Sequence, residues 1–220
     1  MRTRIKICGV MRAEDALAAA RAGVDAVGIV LHHAARRGMN VDAARQIIAA
    51  LPPYTTPVGL FVDSTAEEID ETSRRVGVRH VQLHGSESPE VAAKLPHLVF
   101  VKAIRLDRDT LSDQLAAWRN ASDNVRGLVL ETAGTGQAGG SGVSNDWELA
   151  KEAKEHGLFD AMPIIAAGGL TPENVGPVIR ALRPWAVDVS SGVEETFGEK
   201  STVRVDAFVK AVAKADALRN

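Results

Sequence analysis

Five sets of residues in this 220-residue chain stand where chemistry can be done. Lys6 and Cys8 lie in a short apolar run, residues 3–9, that closes in Gly9, and Cys8 is the only cysteine. Cysteine offers a nucleophile, a general base or, when buried, an inert core thiol; a neighbouring lysine helps hold the thiolate. Glu131 ends another apolar run. A partly buried carboxyl there has a raised pKa and serves as a general acid; the alternative is a solvated carboxylate. Gly168-Gly169 and Ser190-Ser191-Gly192 end two further runs. Glycines let backbone N–H groups approach a ligand, and the helix opening near Thr171 adds donors and a positive dipole. That is phosphate chemistry, unless the glycines only relieve crowding in tight turns. Arg36 and Arg37 clamp an anion or form an ordinary solvated pair. His84 suits a hydrogen bond to a substrate or a loop better than a metal, since the histidines show no ligand spacing.

These residues need a frame that brings run ends together. Nearly continuous apolar runs recur at residues 4–8, 25–31, 57–62, 79–83, 99–104, 127–131, 163–167 and 186–190. Continuity rather than alternation marks strands covered on both faces. Between them Ala44, Ile47, Ile48 and Leu51 repeat with helical spacing, as do Val175, Val178, Ile179 and Leu182, and Val205, Phe208, Val209 and Val212. Thr65 with Glu68 predicts a capping box. Ser88-Pro89 and Thr171-Pro172 predict an N-cap followed by proline. Gly23, Gly77 and Gly157 stand where helices should end left-handed. Eight strand–helix units in one domain, residues 1–220, predict a (β/α)8 barrel, with a doubly wound open sheet as the alternative. The count of eight and the phosphate-type glycines in the last two units favour the barrel. Its working face is the C-terminal end of the strands, which selects Lys6, Cys8, residues 32–38, Asp63, residues 82–84, residues 102–105, Glu131, Gly168, Gly169 and residues 188–192.

Gly134-Thr135-Gly136-Gln137-Ala138-Gly139 spells the dinucleotide pattern, but the next helix cap is expected later, at Asn145 or Asp146, and no acidic residue ends the following strand. Residues 133–144 are expected to form a mobile active-site loop or an inert solvated one. Net charge is −2, from 26 basic against 28 acidic residues, which gives no reason to expect a nucleic-acid or membrane partner. One cysteine excludes an intrachain disulfide and a cysteine-rich metal site. The lone thiol and the lack of a long apolar run after Arg2 and Arg4 suggest the cytoplasm.

Taken together, the motifs resemble the phosphoribosylanthranilate isomerase family. They are Lys6-Ile7-Cys8-Gly9, Asp25-Ala26-Val27-Gly28, Val58-Gly59-Leu60-Phe61-Val62, Val81-Gln82-Leu83-His84-Gly85 and Val101-Lys102-Ala103-Ile104. Further along come Gly139-Gly140-Ser141-Gly142 with Asp146-Trp147, Ala167-Gly168-Gly169-Leu170, and the run from Val187 to Glu194 with Gly198 and Lys200. The resemblance implies a cofactor-free and metal-free barrel of the ribulose-phosphate-binding type acting on a small phosphosugar. The implied reaction is an Amadori rearrangement in tryptophan biosynthesis. It implies Cys8 as general base and Glu131, where the family carries aspartate, as general acid. Arg37 is implied to contact the anthranilate carboxylate. Lys6, His84 and Asp188 fall at substrate-side positions, and Gly168, Gly169, Ser191 and Gly192 at the phosphate. The departures lie on the aromatic and acid side: Glu131 itself, Ala34 and Ala35 before the arginines, Val143 for a lysine and Asn145 for an aromatic residue. The same motifs leave two other readings: isomerisation of another phosphoribosyl amine, and a phosphosugar-binding barrel without catalysis.

Overall fold

The structure, a computed structural model, describes residues 2–32, 34–119, 121–132, 147–157, 159–160 and 162–218. The glycine-rich segment 133–144, with Asn145 and Asp146, lies outside them. Eight parallel strands form a closed barrel in chain order. They are β1 (Arg4–Ile7), β2 (Ala26–Val30), β3 (Thr56–Phe61), β4 (His80–Leu83), β5 (Val99–Leu106), β6 (Val125–Thr132), β7 (Ile164–Ala167) and β8 (Ala186–Val189). Each coincides with one of the expected runs, though β3 begins one residue earlier, β5 runs two residues further and β6 extends past its run at both ends. β1 pairs with β2 (Lys6↔Ala26) and with β8 (Lys6↔Asp188), so the sheet has no edge and the open-sheet alternative falls.

The helices are α1 (Ala13–Arg21), α2 (Val41–Ala49), α3 (Ala66–Val76), α4 (Glu90–Ala93), α5 (Leu111–Arg119), α6 (Trp147–Glu155), α7 (Val175–Leu182) and α8 (Thr202–Ala217). Their apolar stripes meet the outside of the sheet. Val175, Val178, Ile179 and Leu182 on α7 are all buried, as are Val205, Phe208 and Val212 on α8. Each such side chain contributes about 1.5–3 kcal/mol by leaving water. Among the described residues, no helix is long and apolar enough to cross a membrane.

The local signals held in part. Thr65 and Glu68 form the capping box of α3, and Gly77 ends that helix at φ 88°. Two caps differ. α4 is a single turn that starts from Pro89, without a side-chain cap from Ser88. α7 starts three residues later than Thr171-Pro172 implies, with Asn174 at its N-cap. The Thr171 carbonyl accepts from Asn174 N–H and Val175 N–H, so proline opens a turn that leads into the helix. One element was not anticipated. After β8 a 3-10 turn (Ser191–Val193) leads into a hairpin of β9 (Glu194–Thr196) and β10 (Glu199–Lys200), which turns through Gly198 at φ 81°. It sets Glu194 opposite Lys200 at the C-terminal end of the barrel.

Candidate active site

At the C-terminal ends of the strands is a cavity of about 340 Å³. Cys8, Arg37, His84, Glu131, Asp188, Gly168, Gly169, Ser191 and Gly192 all line it. Lys6 lies beneath. Parallel register sets it against Asp188, and its Nζ donates to Asp188 Oδ2 at 2.6 Å, with the two side chains 10% and 4% exposed. Burial works against the Lys6 ammonium. The Asp188 carboxylate and the Cys8 sulfur outweigh it, so the lysine pKa rises and the ammonium persists. Gly28 makes room for this arrangement: a Cβ there would sit 3.0 Å from both Cys8 Sγ and Lys6 Nζ.

The Cys8 thiol is partly accessible. Burial pushes its pKa up. Lys6 and Lys200 pull it down without offsetting burial, and Asp188 adds to the rise. Lys6 favours the thiolate, the direction expected of it, but does not outweigh burial. Lys6 spends its charge on Asp188, and the resting sulfur is protonated.

The raised pKa expected of Glu131 is corrected. Burial pushes its carboxyl up, but the hydrogen bond and charge of His84 outweigh this and hold it below the usual range. The contact, His84 Nε2 to Glu131 Oε2, is 3.0 Å. For His84, burial favours the neutral ring, and Glu131 reverses that, raising its pKa. The other ring nitrogen, Nδ1, lies 3.0 Å from the amide Nε2 of Gln82, a fully buried residue two positions back on β4.

Arg37 is clamped. Its Nε and Nη2 donate to Glu194 Oε1 and Oε2 at 3.1 and 2.8 Å. Lys200 Nζ donates to the same Oε1 at 2.9 Å and to the Ser190 carbonyl at 3.1 Å. The arginine stem runs across Gly9, where a Cβ would lie 2.5 Å from its Cδ, and the guanidinium stacks on Phe197 at 4.5 Å. Arg36 reaches the same ring at 4.3 Å. On the other side, Gly168 and Gly169 have φ of 91° and 63°, and the Asn174 amide ties their loop by accepting from Thr171 N–H and donating to the Gly169 carbonyl. Gly192 packs so closely on the Leu170 carbonyl that a side chain there would collide with it. The two glycine loops therefore form one wall. Lys102, expected at the working face, instead pairs with buried Glu87 at 2.9 Å. Among the described residues, no group of three or more His, Cys, Asp or Glu side chains could hold a metal.

Residues 5–211 match the family model described as N-(5'phosphoribosyl)anthranilate (PRA) isomerase. The chain belongs to the PRA isomerase family. It is 44% identical over 209 residues to the N-(5'-phosphoribosyl)anthranilate isomerase of Pseudomonas fluorescens strain SBW25, covering 95% of each chain. The PRA isomerase structure from Thermotoga maritima superimposes with a TM-score of 0.85 at 33% identity, over 96% of this chain and 99% of that one. A second PRA isomerase structure, at TM-score 0.82, 32% identity and the same coverage, holds reduced 1-(o-carboxyphenylamino)-1-deoxyribulose 5-phosphate.

Three side chains of this PRA isomerase family site were not assigned a role from sequence: Gln82, Glu194 and Lys200. Gln82 had a signal. Residues i and i+2 of a strand face the same side, so Gln82 follows His84 into the barrel. Glu194 and Lys200 had none beyond the motif, because the hairpin that pairs them was not legible.

Proposed function

We propose that the chain isomerises N-(5'-phosphoribosyl)anthranilate to 1-(o-carboxyphenylamino)-1-deoxyribulose 5-phosphate, a step of tryptophan biosynthesis in the cytoplasm. The observation that carries this is the relative crystallised with the reduced form of that product. This chain matches it over nearly its whole length and has one cavity wall of paired glycine loops and another of a clamped arginine.

The substrate's phosphate lies on Gly168, Gly169, Ser191 and Gly192, and its carboxylate meets Arg37. With Nε and Nη2 committed to Glu194, the Nη1 edge is the part of the guanidinium that receives it. Glu131 then donates a proton to the furanose ring oxygen. The C1'–O bond breaks, its electron pair stays on the oxygen, and the amine nitrogen's lone pair closes a protonated Schiff base. Cys8, as thiolate, takes the proton from C2', and the C–H electrons neutralise the iminium to give an enolamine. Tautomerisation yields the ketone. Positioned general acids and bases each contribute typically about 10²–10⁴-fold. Glutamate reaches one methylene further than the family's aspartate, and His84 holds its carboxylate in place at 3.0 Å. The Lys6–Asp188 pair fixes the floor beneath the sulfur.

The test is a fluorescence assay of freshly generated phosphoribosylanthranilate with the purified protein beside Glu131→Gln. Rapid loss of substrate signal, abolished in the variant, is expected. Wild-type protein that binds a product analogue but turns nothing over would refute the activity.

A further inference from the structure

A general acid must carry a proton when substrate arrives, and Glu131 sits where a carboxyl does not keep one. Its Oε2 is 3.0 Å from His84 Nε2, and Gln82 Nε2 is 3.0 Å from His84 Nδ1. The three side chains form a line from the barrel core to the cavity. Gln82 is fully buried, and its Oε1 has no hydrogen-bond partner among the described residues. A buried amide oxygen left without a donor costs about 1–3 kcal/mol.

The two ends of a glutamine amide are isosteric, and each fits one protonation state of the histidine. With nitrogen toward Nδ1, the ring is neutral and its one proton, on Nε2, faces Glu131. With the amide turned, Oε1 accepts from Nδ1–H, the ring carries both protons, and the orphaned oxygen gains its donor. We propose that Gln82, His84 and Glu131 are a single proton store, in which the His84 imidazolium holds the proton that Glu131 delivers to the substrate and the Gln82 amide turns to match.

The transfer balances. His84 Nε2–H passes its proton to Glu131 Oε2 and the ring becomes neutral with its proton on Nδ1, accepted by Gln82. Glu131 passes the proton to the furanose oxygen, and the store is refilled from solvent through the cavity. His84 and Gln82 act through Glu131 and are positioning residues. The charged groups around the line are Glu131 from β6, Lys6 from β1, Asp188 from β8 and Arg105 from β5. Lys6 is neutralised by Asp188, which leaves the Glu131 carboxylate as the dominant charge on the ring.

This deepens the isomerase reading and rests on it. The resting thiol of Cys8 titrates above its ordinary value of 9.0, and His84 above 6.5. With the base titrating above the acid, as the ordinary values of the two groups do, the reactive form, thiolate with a filled store, is a minor tautomer of the singly protonated site. The acid limb of kcat/KM then reports the store and the alkaline limb reports Cys8.

The experiment pairs two readouts. In the first, the pH profile of kcat/KM is measured for wild type and His84→Gln, whose amide still donates to Glu131 but cannot titrate. The acid limb should move down by at least about one pH unit and the plateau should fall by the same factor, about tenfold per unit. A uniform fall with no limb movement would make His84 structural and overturn the store. In the second, His84 is titrated by nitrogen NMR in wild type and in Glu131→Gln. A fall of its pKa by at least about one unit in the variant is expected; an unchanged titration overturns the coupling whether or not the protein folds with His84 replaced. Absent turnover in wild type with the NMR coupling intact would instead remove the isomerase reading and leave the coupled pair standing.

Discussion

Glu194 is the residue whose removal should be felt twice, in stability and in substrate binding. Arg37 and Lys200 both donate to its Oε1, at 3.1 and 2.9 Å, so the two cations are no more than about 6 Å apart. The side chains of Arg37, Glu194 and Lys200 are 10%, 7% and 1% exposed. In Glu194→Gln, with the amide oxygen in the place of Oε1, Arg37 Nε and Lys200 Nζ keep an acceptor, the amide N–H groups face Arg37 Nη2, and the negative charge between the two cations is gone. The mutual repulsion of two charges 6 Å apart is then about 3 kcal/mol at an effective dielectric of 20. Lys200 relieves part of it by losing its proton, since burial already lowers its pKa. A net loss of about 2 kcal/mol is expected, or about 4–8 °C in Tm for a chain of this size. Arg37 also loses its Nη2 bond and the carboxylate charge opposite its Nε, and its guanidinium no longer has a fixed edge toward the cavity. KM for phosphoribosylanthranilate should rise about tenfold or more, with kcat less affected. Thermal unfolding and steady-state fluorescence read the two effects. Adding Lys200→Met removes the uncompensated cation and should restore part of the lost Tm. A double variant as unstable as the sum of the two singles would refute the electrostatic reasoning, and an unchanged KM in Glu194→Gln would show that the clamp does not serve substrate.

Three further outcomes are expected. Cys8→Ser should cut turnover by at least about 100-fold while phosphate-ester affinity stays within a factor of about two, because the proposed base role sets the sulfur at C2' and not at the phosphate; substantial residual turnover would remove Cys8 from the base role. Gly28→Ala should lower activity by roughly tenfold with the fold kept, since its methyl, 3.0 Å from Cys8 Sγ and Lys6 Nζ, must push both aside; circular dichroism with the same assay separates the two effects. The Glu131–His84 contact should stabilise most between pH 4.5 and 6.5, the ordinary values of the two groups. Glu131, held low, adds stability above 4.5 that is lost as pH falls through its folded pKa, and His84, held high, adds stability below 6.5 that is lost as pH rises through its folded pKa. The Tm gap between wild type and His84→Gln, followed from pH 4 to 9, should peak in that window; a gap flat with pH would contradict it.

What could be read from the sequence was what depends on short range. Strands covered on both faces leave continuous apolar runs, and helix stripes and the Thr65–Glu68 cap are settled within a few residues, so the barrel and its working face were legible. Strand-end residues then fall together by topology alone, which is how Cys8, Glu131 and the glycine loops were found. Pairing across the barrel was not legible. The pKa of Glu131 was expected to rise because burial is the only effect the sequence suggests, yet its direction is decided by His84, two strands away. Lys6 acts on Cys8 in the expected direction, yet parallel register also gave it Asp188, and the weight of burial on the thiol was not visible. Arg37 was visible and its clamp was not, because Glu194 lies 157 positions further on and reaches it only through a hairpin too short to leave a periodic pattern.

The charges of the cavity bear on the proposed placement of the substrate's two anions. Lys6 is balanced by Asp188 and His84 by Glu131, so the reacting middle carries little net charge. The glycine wall offers backbone N–H groups and the small dipoles of its turns. At the hairpin end two cations, Arg37 and Lys200, share one carboxylate, and Arg36 stacks beside them on Phe197. That end has an excess of positive charge and a planar fork, which suits a carboxylate on an aromatic ring better than a phosphate. A substrate with a phosphate and a carboxylate at opposite ends therefore has one favoured direction. Replacing the carboxylate of a product analogue by a carboxamide should weaken binding by about tenfold or more in wild type and far less in Arg37→Gln, because a charge-assisted bond contributes about 1.5–3 kcal/mol only while both partners are charged. Removing the phosphate should weaken the two proteins equally. If the carboxamide analogue lost the same factor in both, the carboxylate would not be meeting Arg37, and the direction assigned to the substrate would be reversed.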